Sequence, residues 1–332
     1  MNICVYGAGA VGGGIAARLQ AAGENVSVIA RGAHAAAIRE RGITVLTGND
    51  RIEARVHCAA DPSELGPQDL VIVTLKGHQL PDIAQPLRRI LESGAPVVFA
   101  MNGILWWFAD GLPLEMPSAF ADSLDPRGEL RRWIPAERIV GAVVNSSNEV
   151  IEPGVIVNTT PQRNRLVLGA AHGMSPQTVA GIAATLSRAG YQAPVTANIR
   201  QDIWNKLALY LGVSPVATLT HRPLDRLIND PEAYAMMAGL MRETIVIGEA
   251  LGFKHAGDVD AELGFFRDKP TRPSMLQDFE LGREPELAGS ILAVAGFARA
   301  AKIRAPLIET VATLLRCKAA GMRSRRPAGS AS

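Results

Sequence analysis

The chain has 332 residues, which is enough for two domains and a sizeable hydrophobic core. Its formal net charge of +2 argues against nucleic acid as a partner, and no apolar run reaches the roughly twenty residues that span a bilayer. The cysteines are odd in number and far apart, without the spacing of a metal site or a disulfide framework. This pattern predicts a cytoplasmic protein with no metal centre; the residues are Cys4, Cys58 and Cys317.

The chain begins with a predicted strand, a glycine-rich turn and a predicted helix. Residues 2–6 are short and apolar with a β-branched bias, which is typical of a buried strand. The six residues after it match the pattern G-x-G-x-x-G, and a helix is predicted directly behind them. A second strand over residues 24–30 follows at the spacing of a βαβ unit. In this context a dinucleotide-binding turn is favoured over a glycine turn without a ligand.

Each glycine of the turn has its own physical task. Gly7 allows a tight turn out of the strand, Gly9 lets a pyrophosphate approach the backbone, and Gly12 lets the helix pack closely on the strand. The N-terminus of the helix then offers free N–H groups and the positive end of its dipole. We therefore predict that the phosphates of a cofactor are bound by Gly7, Ala8, Gly9, Ala10, Val11 and Gly12.

The end of the second strand indicates which nicotinamide cofactor is used. An NAD enzyme commonly places Asp or Glu there to accept a hydrogen bond from the ribose 2′-hydroxyl. This chain has Arg31 followed by Gly32. A guanidinium binds a 2′-phosphate through paired N–H donors, whereas a carboxylate would repel it. We therefore predict NADPH; the alternative is that Arg31 is an ordinary solvated charge.

Two further buried strands, over residues 70–75 and 96–100, are separated by a predicted helix through residues 83–90. This alternation of strand and helix predicts a right-handed parallel sheet.

Ligands of such sheets bind at the carboxyl ends of the strands. Gly9, Arg31, Lys76 and Asn102 all follow strands at this edge. We therefore place Lys76 and Asn102 in the cofactor site, together with the nearby Gln79.

The pattern changes at residue 197, where further strands and one helix give way to an almost wholly helical sequence. We predict an α/β protein, with a Rossmann-like N-terminal dinucleotide-binding domain plus an all-α C-terminal domain. The expected ranges are 1–196 for the NADP-binding domain and 197–320 for the helical substrate domain. The basic residues 321–332 are expected to form a flexible tail.

The first helix of the second domain carries a lysine of special interest. Its apolar residues form a stripe at helical spacing, and Lys206 lies off that stripe. Asp202, Lys206 and Tyr210 follow one another at intervals of four and share the other face. Helix geometry leaves two interpretations open: a solvated lysine paired with Asp202, or a lysine that lines a site.

Two other polar residues have adequate structural explanations. Ser274 follows Pro273 and precedes an apolar-periodic run, which predicts a helix N-cap. Glu286 follows Pro285 at the predicted start of another helix, where the helix dipole favours a carboxylate.

Taken together, these stretches resemble the ketopantoate reductase (2-dehydropantoate 2-reductase) family. The lysine helix and the stretch that begins at Ser274 are the most specific features. The resemblance rests, in chain order, on Gly7-Ala8-Gly9-Ala10-Val11-Gly12, Arg31-Gly32, Val73-Thr74-Leu75-Lys76, Asn102-Gly103, Trp204-Asn205-Lys206-Leu207-Ala208 and Ser274-Met275-Leu276-Gln277-Asp278.

The resemblance implies NADPH-dependent reduction of a 2-oxo acid, by default 2-dehydropantoate to pantoate in pantothenate biosynthesis. It implies that Lys206 is the general acid that protonates the carbonyl oxygen as hydride arrives. Lys76 and Asn102 would line the nicotinamide end of the cofactor, and Asn102 would also contact substrate. Ser274 would bind the substrate carboxylate, and Glu286 would accept a hydrogen bond from a substrate hydroxyl as part of the catalytic site.

The chain also departs from the family pattern at its substrate-binding positions. Tyr210 and Ser214 stand where the family usually has asparagines, and we assign both to the substrate site. Residues 104–108 are bulky where the family has small residues, and Pro285 replaces a threonine. These changes raise the alternative of a different, bulkier or more apolar 2-oxo acid. A core or dimer contact explains Trp106 and Trp107 equally well.

Two alternatives of other kinds stay open at this point. One is a non-catalytic NADPH-binding sensor, and the other is a 3-hydroxy acid or opine-type dehydrogenase with the same domain plan. The expected partner is a small 2-oxo acid, not nucleic acid or membrane. A homodimer through the apolar helix predicted over residues 285–301 is also considered, although burial within the domain would explain that helix as well.

Overall fold

The computed structural model describes residues 1–324, apart from the side chains of Ser118 and Ala119. Its strands are β1 Asn2–Tyr6, β2 Asn25–Ile29, β3 Ile43–Thr47, β4 Asp50–Ala54, β5 His57–Ala59, β6 Leu70–Val73, β7 Val97–Ala100, β8 Ile139–Asn145, β9 Asn148–Glu152, β10 Val155–Asn158 and β11 Arg165–Ala170. Its helices are α1 Ala10–Ala21, α2 Gly32–Arg41, α3 Leu80–Ile90, α4 Ser118–Leu124, α5 Glu129–Trp133, α6 Pro176–Arg188, α7 Ile199–Thr220, α8 Leu224–Ile228, α9 Pro231–Ala250, α10 Val259–Gly264, α11 Ser274–Glu280, α12 Ala293–Ala300 and α13 Pro306–Ser324.

The chain forms two compact units. Unit 1 comprises Met1–Asn102 and Asp125–Arg200, and unit 2 comprises Gly103–Leu124 and the described residues from Gln201 onward. The expected division at residue 196 differs from this grouping, because the segment 103–124 belongs to unit 2. The chain therefore enters unit 2 twice, first for this short segment and then for the helices.

A seven-stranded sheet dominates unit 1, with the strand order β11-β8-β7-β6-β1-β2-β5. Neighbouring strands are parallel except at one edge, where β11 runs antiparallel to β8. In the central register Val5 pairs with Val28 on one side and Ile72 on the other. All three side chains are buried, as expected for a parallel sheet covered on both faces. The predicted α/β fold with a parallel N-terminal sheet is confirmed.

A second sheet of four strands, in the order β4-β3-β10-β9, also belongs to unit 1. Helix α1 contacts strands of both sheets. The approach is close, since a Cβ on Gly13 would lie 2.3 Å from Ile156 Cδ1. The glycines of α1 thus serve packing as well as the turn that precedes the helix.

Unit 2 is helical and has an aromatic core. The ring of Phe108 lies 6.1 Å from that of Trp204, 5.8 Å from Phe253 and 5.9 Å from Phe297, measured between centroids. Trp107 is also almost fully buried. This packing accounts for the membership of the segment 103–124 in unit 2 and supports the core-contact interpretation of the tryptophan pair.

The C-terminal helix α13 continues to Ser324. The expected flexible tail over residues 321–332 is therefore wrong for residues 321–324, because the helix carries on through them. Residues 325–332 lie outside the described residues.

The described residues show neither a membrane span nor a metal site, and the cysteines are unpaired. Among the helices of residues 1–324, none is long and apolar enough to cross a membrane. The same residues contain no group of His, Cys, Asp or Glu arranged to hold a metal ion. Cys4, Cys58 and Cys317 are free thiols.

Candidate active site

The glycine turn of unit 1 is held by its neighbours in the sheet. Gly7 has φ +100°, a conformation that side chains rarely adopt, and its N–H donates to the carbonyl of Ile29 at 3.1 Å. The Thr74 hydroxyl donates to the Gly7 carbonyl at 2.5 Å. A Cβ on Gly12 would lie 1.9 Å from that same carbonyl oxygen. Gly7 and Gly12 are thus required by the packing of α1 on the turn.

Gly9 is different, because it faces open space. It is the N-cap of α1 and exposed, and no heavy atom lies within 4 Å of a Cβ built on it. No side chain caps the helix. The first-turn N–H groups of α1 therefore lie beside an open position, as the phosphates of a dinucleotide require.

His34 also supports the turn. Its Nε2 lies 2.6 Å from the Ala8 carbonyl oxygen, and the Gly154 N–H donates to its Nδ1 at 3.0 Å. Because Nδ1 accepts a hydrogen bond, Nε2 carries the hydrogen and donates to Ala8. The sequence does not predict this role, because a single histidine three positions after Arg31 matches no known pattern.

The predicted polar residues of unit 1 follow neighbouring strands. Four adjacent strands of the sheet are parallel, in the order β7-β6-β1-β2. The residues that follow their carboxyl ends therefore lie on the same side of the sheet, namely the glycine turn, Arg31, Lys76 and Asn102. Arg31 is exposed at the start of α2. Gln79 is exposed, and its Oε1 accepts a hydrogen bond from the Lys76 N–H at 3.0 Å. Gln79 therefore shapes the turn that carries Lys76.

In unit 2, Lys206 projects from α7 and is half-buried. Burial lowers the pKa of its ammonium from 10.5 to about 8, and the carboxylate of Glu286 opposes that shift. Trp204 fixes this part of the helix, because its Nε1 donates to the Thr244 carbonyl at 3.1 Å. Both burial and the charge of Glu286, which is distant in the chain, act on the pKa of Lys206. This favours a lysine that lines a site over an ordinary solvated lysine.

Tyr210 extends the polar cluster by one helical turn. Burial raises the pKa of its phenol, and the negative charge of Glu286 raises it further. The hydroxyls of Ser274 and Ser214 act in the opposite direction. The Ser214 hydroxyl is buried and makes no well-formed hydrogen bond with any described residue. Tyr210 is thus a neutral phenol at ordinary pH. It interacts with Glu286, Ser274 and Ser214, which are predicted substrate-site residues of unit 2.

Two of the structural explanations for these residues are wrong. Ser274 is the first residue of α11, whose N-cap is Pro273, and no side chain caps this helix. Its hydroxyl interacts with Tyr210 instead. Glu286 precedes the helical residues, because the chain is irregular over residues 283–287 and kinks at Ser290 before α12. The helix dipole therefore does not explain Glu286.

The kink has a packing partner that the sequence did not reveal. The Ile104 N–H donates to the Gly289 carbonyl at 2.6 Å. A Cβ on Gly103 would lie 2.6 Å from that oxygen, and one on Gly289 would lie 2.7 Å from the Ile104 oxygen. The backbone beside Glu286 is therefore held by a close glycine contact.

A parallel sheet with an open glycine turn followed by Arg31, and a helical unit whose half-buried Lys206 feels the charge of Glu286, are the features of an NADP-dependent oxidoreductase that acts on a CH–OH group. Residues 3–173 match the family Ketopantoate reductase PanE/ApbA, and residues 198–319 match its C-terminal domain. The chain belongs to this family, and its cofactor is NADPH.

Individual relatives cover nearly the whole chain. A 2-dehydropantoate 2-reductase of Mesorhizobium japonicum is 34% identical over 318 residues, 95% of this chain and 97% of the relative. The solved 2-dehydropantoate 2-reductase of Geobacter metallireducens has a TM-score of 0.82 at 26% identity, over 96% of this chain and 99% of that one. A D-mandelate dehydrogenase with NADH and anilino(oxo)acetate shares the fold, with a TM-score of 0.82 at 19% identity over 97% and 100% of the two chains.

Proposed function

We propose that this protein reduces a 2-oxo acid to a 2-hydroxy acid with NADPH, with 2-dehydropantoate as the first candidate substrate. The observation that carries the proposal is Lys206, a half-buried ammonium whose pKa is lowered to about 8 and which interacts with Glu286. A group that titrates near the working pH is suited to proton transfer. A protein that only senses NADPH would need neither residue.

The residues of unit 1 fit the cofactor. Bound NADPH supplies the hydride. The N–H groups at the start of α1 would bind its pyrophosphate above the open Gly9, and Arg31 would bind the 2′-phosphate through its guanidinium. Lys76 and Asn102 would bind the nicotinamide end, with Gln79 holding the Lys76 turn in shape.

The residues of unit 2 would handle the proton and the substrate. Lys206 Nζ donates a hydrogen bond to the 2-oxo oxygen and transfers its proton there as negative charge develops. Glu286 keeps that ammonium protonated and accepts from a substrate hydroxyl. The Ser274 hydroxyl binds the substrate carboxylate.

The substrate positions of this chain differ from the family pattern, because Tyr210 and Ser214 replace amides of the family. A bulkier or more apolar 2-oxo acid is the second candidate. It is favoured by the phenol beside Ser274, which offers a ring and one hydroxyl where an asparagine would offer an amide.

The experiment is a steady-state assay of NADPH oxidation with a panel of 2-oxo acids that includes 2-dehydropantoate and aryl-substituted members. A kcat/KM typical of dedicated enzymes with 2-dehydropantoate would remove the second candidate. Preference for a bulkier acid would establish it. Tight NADPH binding without turnover of any acid would contradict the reductase assignment and favour a sensor.

We further propose a cytoplasmic location, supported by the three free thiols. A homodimer stays a prediction, and α12 offers it no support because the helix is largely buried within unit 2. Sedimentation of the purified protein would measure its oligomeric state.

A further inference from the structure

We infer that His34 is a positioning residue of the cofactor site, which orients the Ala8–Gly9 peptide so that the Gly9 N–H is presented to the cofactor phosphates. The inference rests on the proposed use of the glycine turn for NADPH. It adds to the phosphate-binding motif a residue from α2 that lies outside that motif.

The imidazole links three separate segments of unit 1. Its Nε2 donates to the Ala8 carbonyl at 2.6 Å, and its Nδ1 accepts from the Gly154 N–H at 3.0 Å. Ala8 and Gly154 are both buried. A buried backbone group without a partner is costly, so this one ring satisfies a donor and an acceptor at once.

The consequence follows from the geometry of a trans peptide. The carbonyl of Ala8 and the N–H of Gly9 belong to one planar group and point in opposite directions. When His34 holds the carbonyl, the N–H is directed away from α2. Within the described residues that N–H has no acceptor, and no heavy atom lies within 4 Å of a Cβ built on Gly9. An anion at this position would meet a donor that is already oriented.

Two conservative variants separate the two hydrogen bonds. The Gln side chain places its amide nitrogen near the position of histidine Nε2, so His34→Gln keeps the donor to Ala8. The Asn side chain places its oxygen near the position of Nδ1, so His34→Asn keeps the acceptor for Gly154 and loses the donor to Ala8. His57→Asn, at an exposed histidine on β5, is the matched control.

The measurement is the Kd for NADPH by its fluorescence on binding, without any 2-oxo acid, together with the midpoint of thermal unfolding. We expect His34→Asn to weaken NADPH about tenfold, the effect of one lost hydrogen bond. His34→Gln should stay within about threefold of the wild type, and His57→Asn should not change the Kd. The unfolding midpoints of the two His34 variants should be similar, because each loses one of two bonds.

Equal Kd values for the Asn and Gln variants would overturn the inference, as would a Kd that simply follows the unfolding midpoint. If His34→Asn does not fold, a folded His34→Gln with weakened NADPH binding is still sufficient to overturn it. Lack of NADPH binding by the wild type would instead contradict the proposed function. If the wild type binds NADPH but reduces none of the 2-oxo acids, the Kd comparison still tests the role of His34.

Discussion

The glycine turn of unit 1 and the lysine face of α7 in unit 2 are built in different ways. The turn offers backbone N–H groups, and its glycines matter because they have no side chain. The lysine face uses side chains whose chemistry depends on their surroundings, as the lowered pKa of Lys206 shows. A backbone site is therefore specified by a short local pattern, whereas a side-chain site needs partners from distant parts of the chain.

Among variants that test this difference between the two sites, Lys206→Ala has the largest expected effect, which is on kcat. Loss of the general acid should lower kcat by about 10²–10⁴-fold, because no other group would supply the proton to the 2-oxo oxygen. The Kd for NADPH should hardly change, since the glycine turn belongs to unit 1. Stopped-flow or steady-state NADPH oxidation measures the first quantity and fluorescence titration the second. Lys254→Ala, at an exposed lysine of unit 2, is the control. A kcat within a few-fold of the wild type would exclude Lys206 as the acid.

Gly12→Ala and Gly9→Ala should separate packing from ligand access within the turn. The new Cβ at residue 12 would lie 1.9 Å from the Gly7 oxygen, so the turn must move. We expect a loss of about 1–3 kcal/mol in the free energy of unfolding, together with weak NADPH binding. At Gly9 there is room for the Cβ, so Gly9→Ala should fold normally and still bind NADPH less tightly. Chemical denaturation and NADPH titration of both variants test this, and equal stability losses would contradict it.

Arg31→Ala should weaken NADPH by roughly 10–100-fold, the effect of a lost charged hydrogen-bond partner for the 2′-phosphate. NADH has no 2′-phosphate, so its Kd should change little. Parallel titrations of the variant with both cofactors give the ratio. Equal losses for the two cofactors would show that Arg31 serves the turn rather than the phosphate.

Glu286→Gln has the smallest expected effect and tests the electrostatics of the lysine face. The acid must be protonated, so kcat/KM of the wild type should fall as the pH rises through about 8. Glu286 raises the pKa of Lys206, and removal of its charge should therefore move this decline to lower pH. We expect less than about a tenfold loss of activity at pH 7 from this shift. An unchanged pH profile would show that the carboxylate does not act on Lys206.

Much of unit 1 could be predicted from its sequence. Apolar runs of fixed length give buried strands, and the glycine spacing gives the turn, because both patterns are local. The role of His34 could not be predicted, since it depends on the approach of Ala8 and Gly154 in space. The membership of residues 103–124 in unit 2 could not be predicted either, because the packing of Phe108 against Trp204 and Phe297 joins residues far apart in the chain.

In unit 2 the apolar periodicity predicts the helices and places Lys206 off the apolar stripe of its helix. It does not decide whether Lys206 is a solvated ion or a general acid. The sequence also assigned Ser274 and Glu286 to helix starts, where local propensity would place them. Ser274 does begin α11, but Pro273 is the N-cap and the Ser274 hydroxyl interacts with Tyr210 instead. Glu286 precedes a kink at Ser290, beside which the Ile104 N–H donates to the Gly289 carbonyl.

The sequence by itself determined the alternation of strands and helices, the glycine turn and the family to which the chain belongs. Only the tertiary structure decided which side chains act on Lys206 and Tyr210, and how the Ala8–Gly9 peptide is held. The reason is physical: propensity and periodicity act over a few residues, whereas burial and charge act through space between segments that the fold brings together.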